Sequence, residues 1–142
     1  MAKVLVVGAG GREHAIAYKF HQEGHQVFLL GDNPAVAEFG TCLSLTEAEL
    51  IAFCQTEPID LVFIGPEVYL VDGLVDRLQA AGIRAFGPSA KAAQLEGSKV
   101  FSKQMMAKYQ IPTAKHESFS DYEAAKQYLA QQATPIVLKA DG

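Results

Sequence analysis

Two short polar stretches have the residue types and setting to do chemistry. Gly8-Ala9-Gly10-Gly11-Arg12-Glu13 follows the apolar run Val4–Val7, and Gly65-Pro66-Glu67 follows the run Ile59–Ile64. A glycine turn opening a helix presents unpaired N–H groups and the positive end of the helix dipole, which together make an anion site. Arg12 can hold a phosphate through paired donors, while Glu13 can accept from hydroxyls. A pyrophosphate is a poor guest, because Glu13 stands where a G-x-G-x-x-G fingerprint needs its third glycine. Its carboxylate suits the dipole by about 0.3–1 kcal/mol but repels a doubly charged ligand. One phosphate carried on a body of hydroxyl or amino groups fits better. Glu67, directly after a buried strand and Gly-Pro, is placed to accept from a sugar or an amine. The plain alternatives are a solvated Arg12–Glu13 pair and a helix-start acid at Glu67. Lys139 ends an apolar run, where an ammonium can meet phosphate, and Lys103 lies on a helix. By spacing alone, both are ordinary solvated lysines.

The elements that must position these groups alternate along the chain. Val4–Val7, Val27–Leu30, Ile59–Ile64 and Ile83–Phe86 read as strands, with Thr41–Leu45 as a short edge strand. Between them lie helical patterns over Arg12–Glu23, closed by Gly24, over Pro34–Phe39, after the capping box Thr46–Glu49, and from Leu70 to Gly82. Such alternation predicts an open, doubly wound parallel sheet covered on both faces, in the α/β class. Ligands of that fold bind beyond the carboxyl ends of the strands, where the order reverses. The glycine turn and Gly65-Pro66-Glu67 would then face each other across one crevice. Farther on, Ser98 caps a helix over Lys99–Tyr109, Ser120–Glu123 is a second capping box, and Pro135–Lys139 resembles the start of a strand. That last strand has no visible partner in 142 residues, so the natural protein is expected to continue past Gly142.

Composition excludes several classes of function. The net charge is −4 and no basic run occurs, which argues against nucleic acid. No apolar stretch reaches membrane-spanning length, and the short run after Lys3 lacks the core of a secretory signal. Cys42 and Cys54 lack metal-ligand spacing and read as reduced thiols in a cytoplasmic protein. His14 reads as structural, and His21, His25 and His116 as surface residues. Phe20, Phe28, Phe53, Phe63 and Phe86 read as core, while Tyr69 can line the crevice.

The segment Gly8-Ala9-Gly10-Gly11-Arg12-Glu13-His14-Ala15 resembles the phosphoribosylamine–glycine ligases. The likeness continues through Gly65-Pro66-Glu67, Phe86-Gly87-Pro88-Ser89, Leu95-Glu96-Gly97-Ser98-Lys99, Ile111-Pro112-Thr113-Ala114 and Lys139-Ala140-Asp141-Gly142, and so spans the chain. The Gly-Pro-Ser and Gly-Ser-Lys segments are shared loosely among ATP-grasp enzymes, whereas Gly-Gly-Arg-Glu-His is more specific. The resemblance implies a pre-ATP-grasp, Rossmann-like substrate domain over residues 1–95 and the beginning of an ATP-grasp domain over 96–142. It implies a cytoplasmic ligase of purine biosynthesis that uses ATP and Mg²⁺ (or Mn²⁺) to join glycine to phosphoribosylamine. Gly10, Gly11, Arg12, Glu13, Gly65, Pro66 and Glu67 would hold the phosphoribosylamine side, and Lys103 and Lys139 the nucleotide. The chain carries no implied catalytic residue and no metal ligand; the metal ligands are expected beyond residue 142. No nucleic acid, membrane or obligate protein partner is implied, and the chain alone should not catalyse. Val68-Tyr69 departs from the Ala-Pro usual in the family after Glu67. Two other readings remain open: a nicotinamide-dinucleotide domain of an oxidoreductase using Gly8, Gly10 and Asp32, and a non-catalytic binding module.

Overall fold

A computed structural model describes residues 1–133 and 135–141. The element order is β1 (Lys3–Val7), α1 (Gly11–Gln22), β2 (Gln26–Leu30), α2 (Pro34–Ala37), β3 (Thr41–Leu43), α3 (Glu47–Thr56), β4 (Leu61–Ile64), α4 (Glu67–Val71), α5 (Leu74–Ala80), β5 (Ala85–Phe86), α6 (Ala90–Gly97), α7 (Lys99–Lys108) and α8 (Tyr122–Leu129). The chain divides into two compact units, residues 1–93 and 94–142.

In the first unit the five strands form a parallel sheet in the order β3-β2-β1-β4-β5. The order reverses between β1 and β4, as the alternation predicts. β1 is central and buried on both faces, which its charge-free run permits. Val4 and Val6 pack with Ala17, Val27, Leu29 and Val36 on one face. Leu5 and Val7 pack with Phe28, Leu50, Val62 and Ile64 on the other. Hydrogen bonds continue past the strand ends: Gly8 N–H donates to Leu30 O (3.0 Å), Gly31 N–H to Leu43 O (2.9 Å) and Gly65 N–H to Val7 O (3.4 Å). These bonds carry the sheet geometry into the loops at its carboxyl edge.

Local signals set most helix boundaries. Thr46 and Glu49 form the expected capping box at α3, with Thr46 N–H donating to Glu49 Oε2 at 2.8 Å. Gly24 adopts φ +80° just past α1, a conformation that favours glycine. The expected helix from Leu70 is instead two short helices, α4 and α5, because Gly73 at φ +86° breaks the chain between them. Phe86 is another correction: it lies on the edge strand, 60% exposed, stacked on Phe63 at 5.0 Å rather than buried in the core. His25 is half-buried and its Nδ1 accepts from Ala2 N–H at 3.2 Å. His14 packs its ring near Tyr18 and Phe39. Cys42 and Cys54 are both free thiols.

In the second unit, Ser98 caps α7 as expected, accepting from Phe101 N–H at 3.1 Å. At α8 the cap is Asp121 rather than Ser120, accepting from Ala124 N–H at 2.8 Å. The apolar run 135–139 is not a strand. A strand exists only as part of a ladder, and among the described residues none pairs with it. Gly142, the last residue of the Lys139–Gly142 motif, lies outside the described residues. No helix among the described residues is long and apolar enough to cross a membrane.

Candidate functional site

The two polar loops meet at the point where the strand order reverses. β1 delivers Gly8–Gly10 and β4 delivers Gly65-Pro66, side by side, because the two strands pair in register from Val4↔Leu61 to Val7↔Ile64. Between the loops stands Glu13, at the third position of α1 and 4% exposed, the one buried charged residue among those described. Its Oε2 accepts from Gly10 N–H at 2.9 Å and its Oε1 from Arg12 Nε at 2.9 Å. The carboxylate thus answers an orphan amide of the helix start and pairs with a cation, which is what makes its burial tolerable. Its position also explains a glycine: a Cβ on Gly65 would overlap the Glu13 carboxylate, with Cδ only 2.8 Å away. Gly8, at φ +104°, is equally constrained, since its Cβ would lie 2.6 Å from Pro66 Cγ. Gly11 differs, because a Cβ there meets nothing within 4 Å.

Arg12 is half exposed and spans the crevice mouth. Beyond its bond to Glu13, its Nη2 lies 3.7 Å from Glu67 Oε2. The hydrogen bond that Arg12 donates to Glu13, more than the charge of Glu67, pushes the Arg12 guanidinium further above its already high ordinary pKa. The cation is therefore permanent, oriented from below by a buried acid, with free donors left toward solvent. The first amides of α1 precede its first internal bond, His14 N–H to Gly10 O (2.9 Å). The arrangement offers an anion a fixed cation and helix-start amides, while exposed Glu67 offers a hydroxyl or amine an acceptor.

The structure brings Gly10, Gly11, Arg12, Glu13, Gly65, Pro66 and Glu67 together. Asn33 braces them: its Nδ2 donates to Ala9 O at 2.9 Å while its Oδ1 caps α2. The Asn-Pro helix-start signal was visible, but its link to a loop 24 residues away was not. Asp32 is exposed and lines a neighbouring cleft of about 500 Å³ with Leu30, Leu43, Ser44, Glu47 and Tyr69. In the second unit, Lys103 is half-buried and its amine donates to Thr113 Oγ1 (2.7 Å) and Ala114 O (3.0 Å). Lys139 is exposed. Among the described residues, no three His, Cys, Asp or Glu side chains gather as a metal site.

Known proteins resemble this chain over nearly its whole length. Residues 2–96 match the family described as phosphoribosylglycinamide synthetase, N domain, and residues 97–142 match its ATP-grasp (A) domain. The phosphoribosylamine–glycine ligase of Agrobacterium fabrum is 50% identical over 99% of this chain, and that of Escherichia coli K12 is 46% identical over 99%. In each case the chain spans 34% of the relative's length. The crystal structure of the Thermotoga maritima phosphoribosylamine–glycine ligase superposes with a TM-score of 0.82 at 32% identity, over 99% of this chain and 33% of that one. The N5-carboxyaminoimidazole ribonucleotide synthetase of the same organism shares the fold at 16% identity, with a TM-score of 0.69 over 90% of this chain and 36% of that one. The chain belongs to the phosphoribosylglycinamide synthetase family, of which it carries the N domain and the opening of the ATP-grasp domain.

Proposed function

We propose that this chain is the amine-substrate side of a phosphoribosylamine–glycine ligase, with the domain boundary near residue 95, and that it also contributes the first nucleotide contacts. The reaction activates the glycine carboxylate with ATP as an acyl phosphate, releasing ADP. The amine of phosphoribosylamine then attacks the carbonyl, and phosphate leaves. Such chemistry needs no protein nucleophile and rests on positioning and on stabilising phosphoryl charge. Arg12 and the first amides of α1 hold the substrate's phosphate, and Glu67 accepts from its hydroxyl or amine groups. Glu13 acts from beneath, orienting the Arg12 fork and locking the glycine turn against Gly65. Gly10 and Pro66 complete the walls. Lys103 and Lys139 meet the nucleotide phosphates. The described residues do not assemble a site for Mg²⁺ or Mn²⁺, and none of these roles passes through one.

The observation that carries the reading is the meeting of Gly8–Glu13 with Gly65–Glu67 around one oriented guanidinium. In the full-length ligase carrying this sequence, Arg12→Ala should raise KM for phosphoribosylamine about ten- to a hundredfold, as loss of a charged hydrogen bond would. An unchanged KM rejects the assignment. Calorimetric titration of the chain with ribose 5-phosphate and with NADH separates the oxidoreductase alternative, which predicts tight binding of NADH alone.

A further inference from the structure

The peptide unit that joins Ala9 to Gly10 is gripped at both ends. Its carbonyl oxygen accepts from Asn33 Nδ2 at 2.9 Å, and its N–H donates to Glu13 Oε2 at 2.9 Å. The two groups point to opposite sides of one rigid plane, so a rotation of the unit breaks both bonds together. Sterically such a rotation is cheap, because it turns φ of Gly10 and a residue without Cβ accepts either sign. Helix α1 supplies no restraint of its own here. Its ladder begins only with the next carbonyl, that of Gly10, which accepts from His14 N–H at 2.9 Å. The restraint comes from the loop after β2, 24 positions away. That loop lies directly against the glycine turn, since a Cβ on Gly31 would stand 2.8 Å from Ala9 Cβ. The half-buried Asn33 amide can sit only one way round. Its Oδ1 accepts from Ala35 N–H at 3.1 Å, which leaves Nδ2 for Ala9.

We propose that Asn33 is a positioning residue for the substrate's phosphate: it locks the Ala9–Gly10 peptide, the locked peptide seats the Glu13 carboxylate, and Glu13 in turn aims the Arg12 guanidinium. The inference rests on the reading of Arg12 as the phosphate contact. Asn33 itself touches no substrate. Were the unit to rotate, Glu13 would lose the Gly10 N–H and face the Ala9 carbonyl instead, a repulsive pairing for a buried carboxylate. Glu13 would have to move, and its bond to Arg12 Nε, 2.9 Å long, would move with it. Holding the cation in its bound orientation beforehand removes an ordering cost that binding would otherwise carry.

The test is a double-mutant cycle on the full-length ligase carrying this sequence, read as KM for phosphoribosylamine, with thermal midpoints as the check on folding. Asn33→Ser keeps an acceptor for the α2 cap, a position where serine and asparagine are equivalent, but has no amide N–H for Ala9. It should raise KM about three- to tenfold, as loss of one neutral hydrogen bond would. Where Arg12→Ala has already removed the guanidinium, the same change should raise KM less than about twofold. Asn33→Asp, an equivalent cap with acceptors only, repeats the cycle if the serine variant does not fold. Asn33→Ala loses cap and grip together. A KM raised by Asn33→Ala but not by Asn33→Ser means that the cap alone matters, and overturns the proposal. Equal effects of Asn33→Ser with and without Arg12 also overturn it, and leave the Arg12 reading standing. An unchanged KM in Arg12→Ala itself overturns that reading, and this inference with it.

Discussion

The Glu13–Gly65 contact gives a sharp test, because one methyl group should disturb the whole crevice. Gly65→Ala places a Cβ 2.8 Å from Glu13 Cδ and 2.9 Å from its Cγ, closer than side chains tolerate. Glu13 cannot simply step aside. Its side chain is 5% exposed, and moving it breaks the bonds to Gly10 N–H and Arg12 Nε. Overpacking of this kind costs about 1–3 kcal/mol, and disturbing a charged hydrogen bond adds a comparable amount. Because a shift relieves one as it incurs the other, the sum should be about 2–4 kcal/mol. Urea unfolding of the chain, followed by a probe in residues 1–93, measures it. Gly11→Ala is the control: its Cβ meets open space and α1 begins there, so it should be neutral or slightly stabilising. The clash should also be relieved in a Glu13→Ala background, making the double variant less damaged than the sum of the singles. A Gly65→Ala variant within about 0.5 kcal/mol of wild type would refute the packing argument, as would strict additivity with Glu13→Ala.

Burial pushes the Cys54 thiol up to about 11, so at pH 8 almost none of it is thiolate. Iodoacetamide should label half-buried Cys42 first and Cys54 only on unfolding, which mass spectrometry of tryptic peptides reads directly. Thr46→Ala removes the α3 cap and should cost about 1 kcal/mol in urea unfolding at pH 7. The bonds from Thr46 hold the Glu49 carboxyl below its ordinary pKa, so its contribution is complete above the unfolded value, about 4.3, and is lost as pH falls through the lower folded value. The gap between Thr46→Ala and wild type should therefore narrow in acid; a gap that widens below about pH 4 contradicts this sign. Leu29→Ala, at a fully buried β2 position, should cost about 2–5 kcal/mol in the same assay.

Much of the molecule was legible in the order of its residues. The charge-free runs at β1, β2 and β4 demand burial, the Gly-rich and Pro-containing breaks demand turns, and alternation with helices leaves few ways to arrange parallel strands. From these the switch point and the two facing loops follow, as does the place of Arg12 at a helix start. Local chemistry misleads where two signals compete: Ser120 and Asp121 both suit a cap, and Gly73 interrupts an otherwise apolar helical pattern. Tertiary structure decided what no local pattern contains. Glu13 became a brace because Gly65, 52 positions away, is brought against it by the β1–β4 pairing. Phe86 stayed exposed because β5 is an edge with one neighbour. Among the described residues the run 135–139 has the composition of a strand but no ladder partner, and a strand's hydrogen bonds belong to its partner as much as to itself. Periodicity determines which face of an element seeks burial; only the assembled sheet determines what that face, or a charge at its edge, will meet.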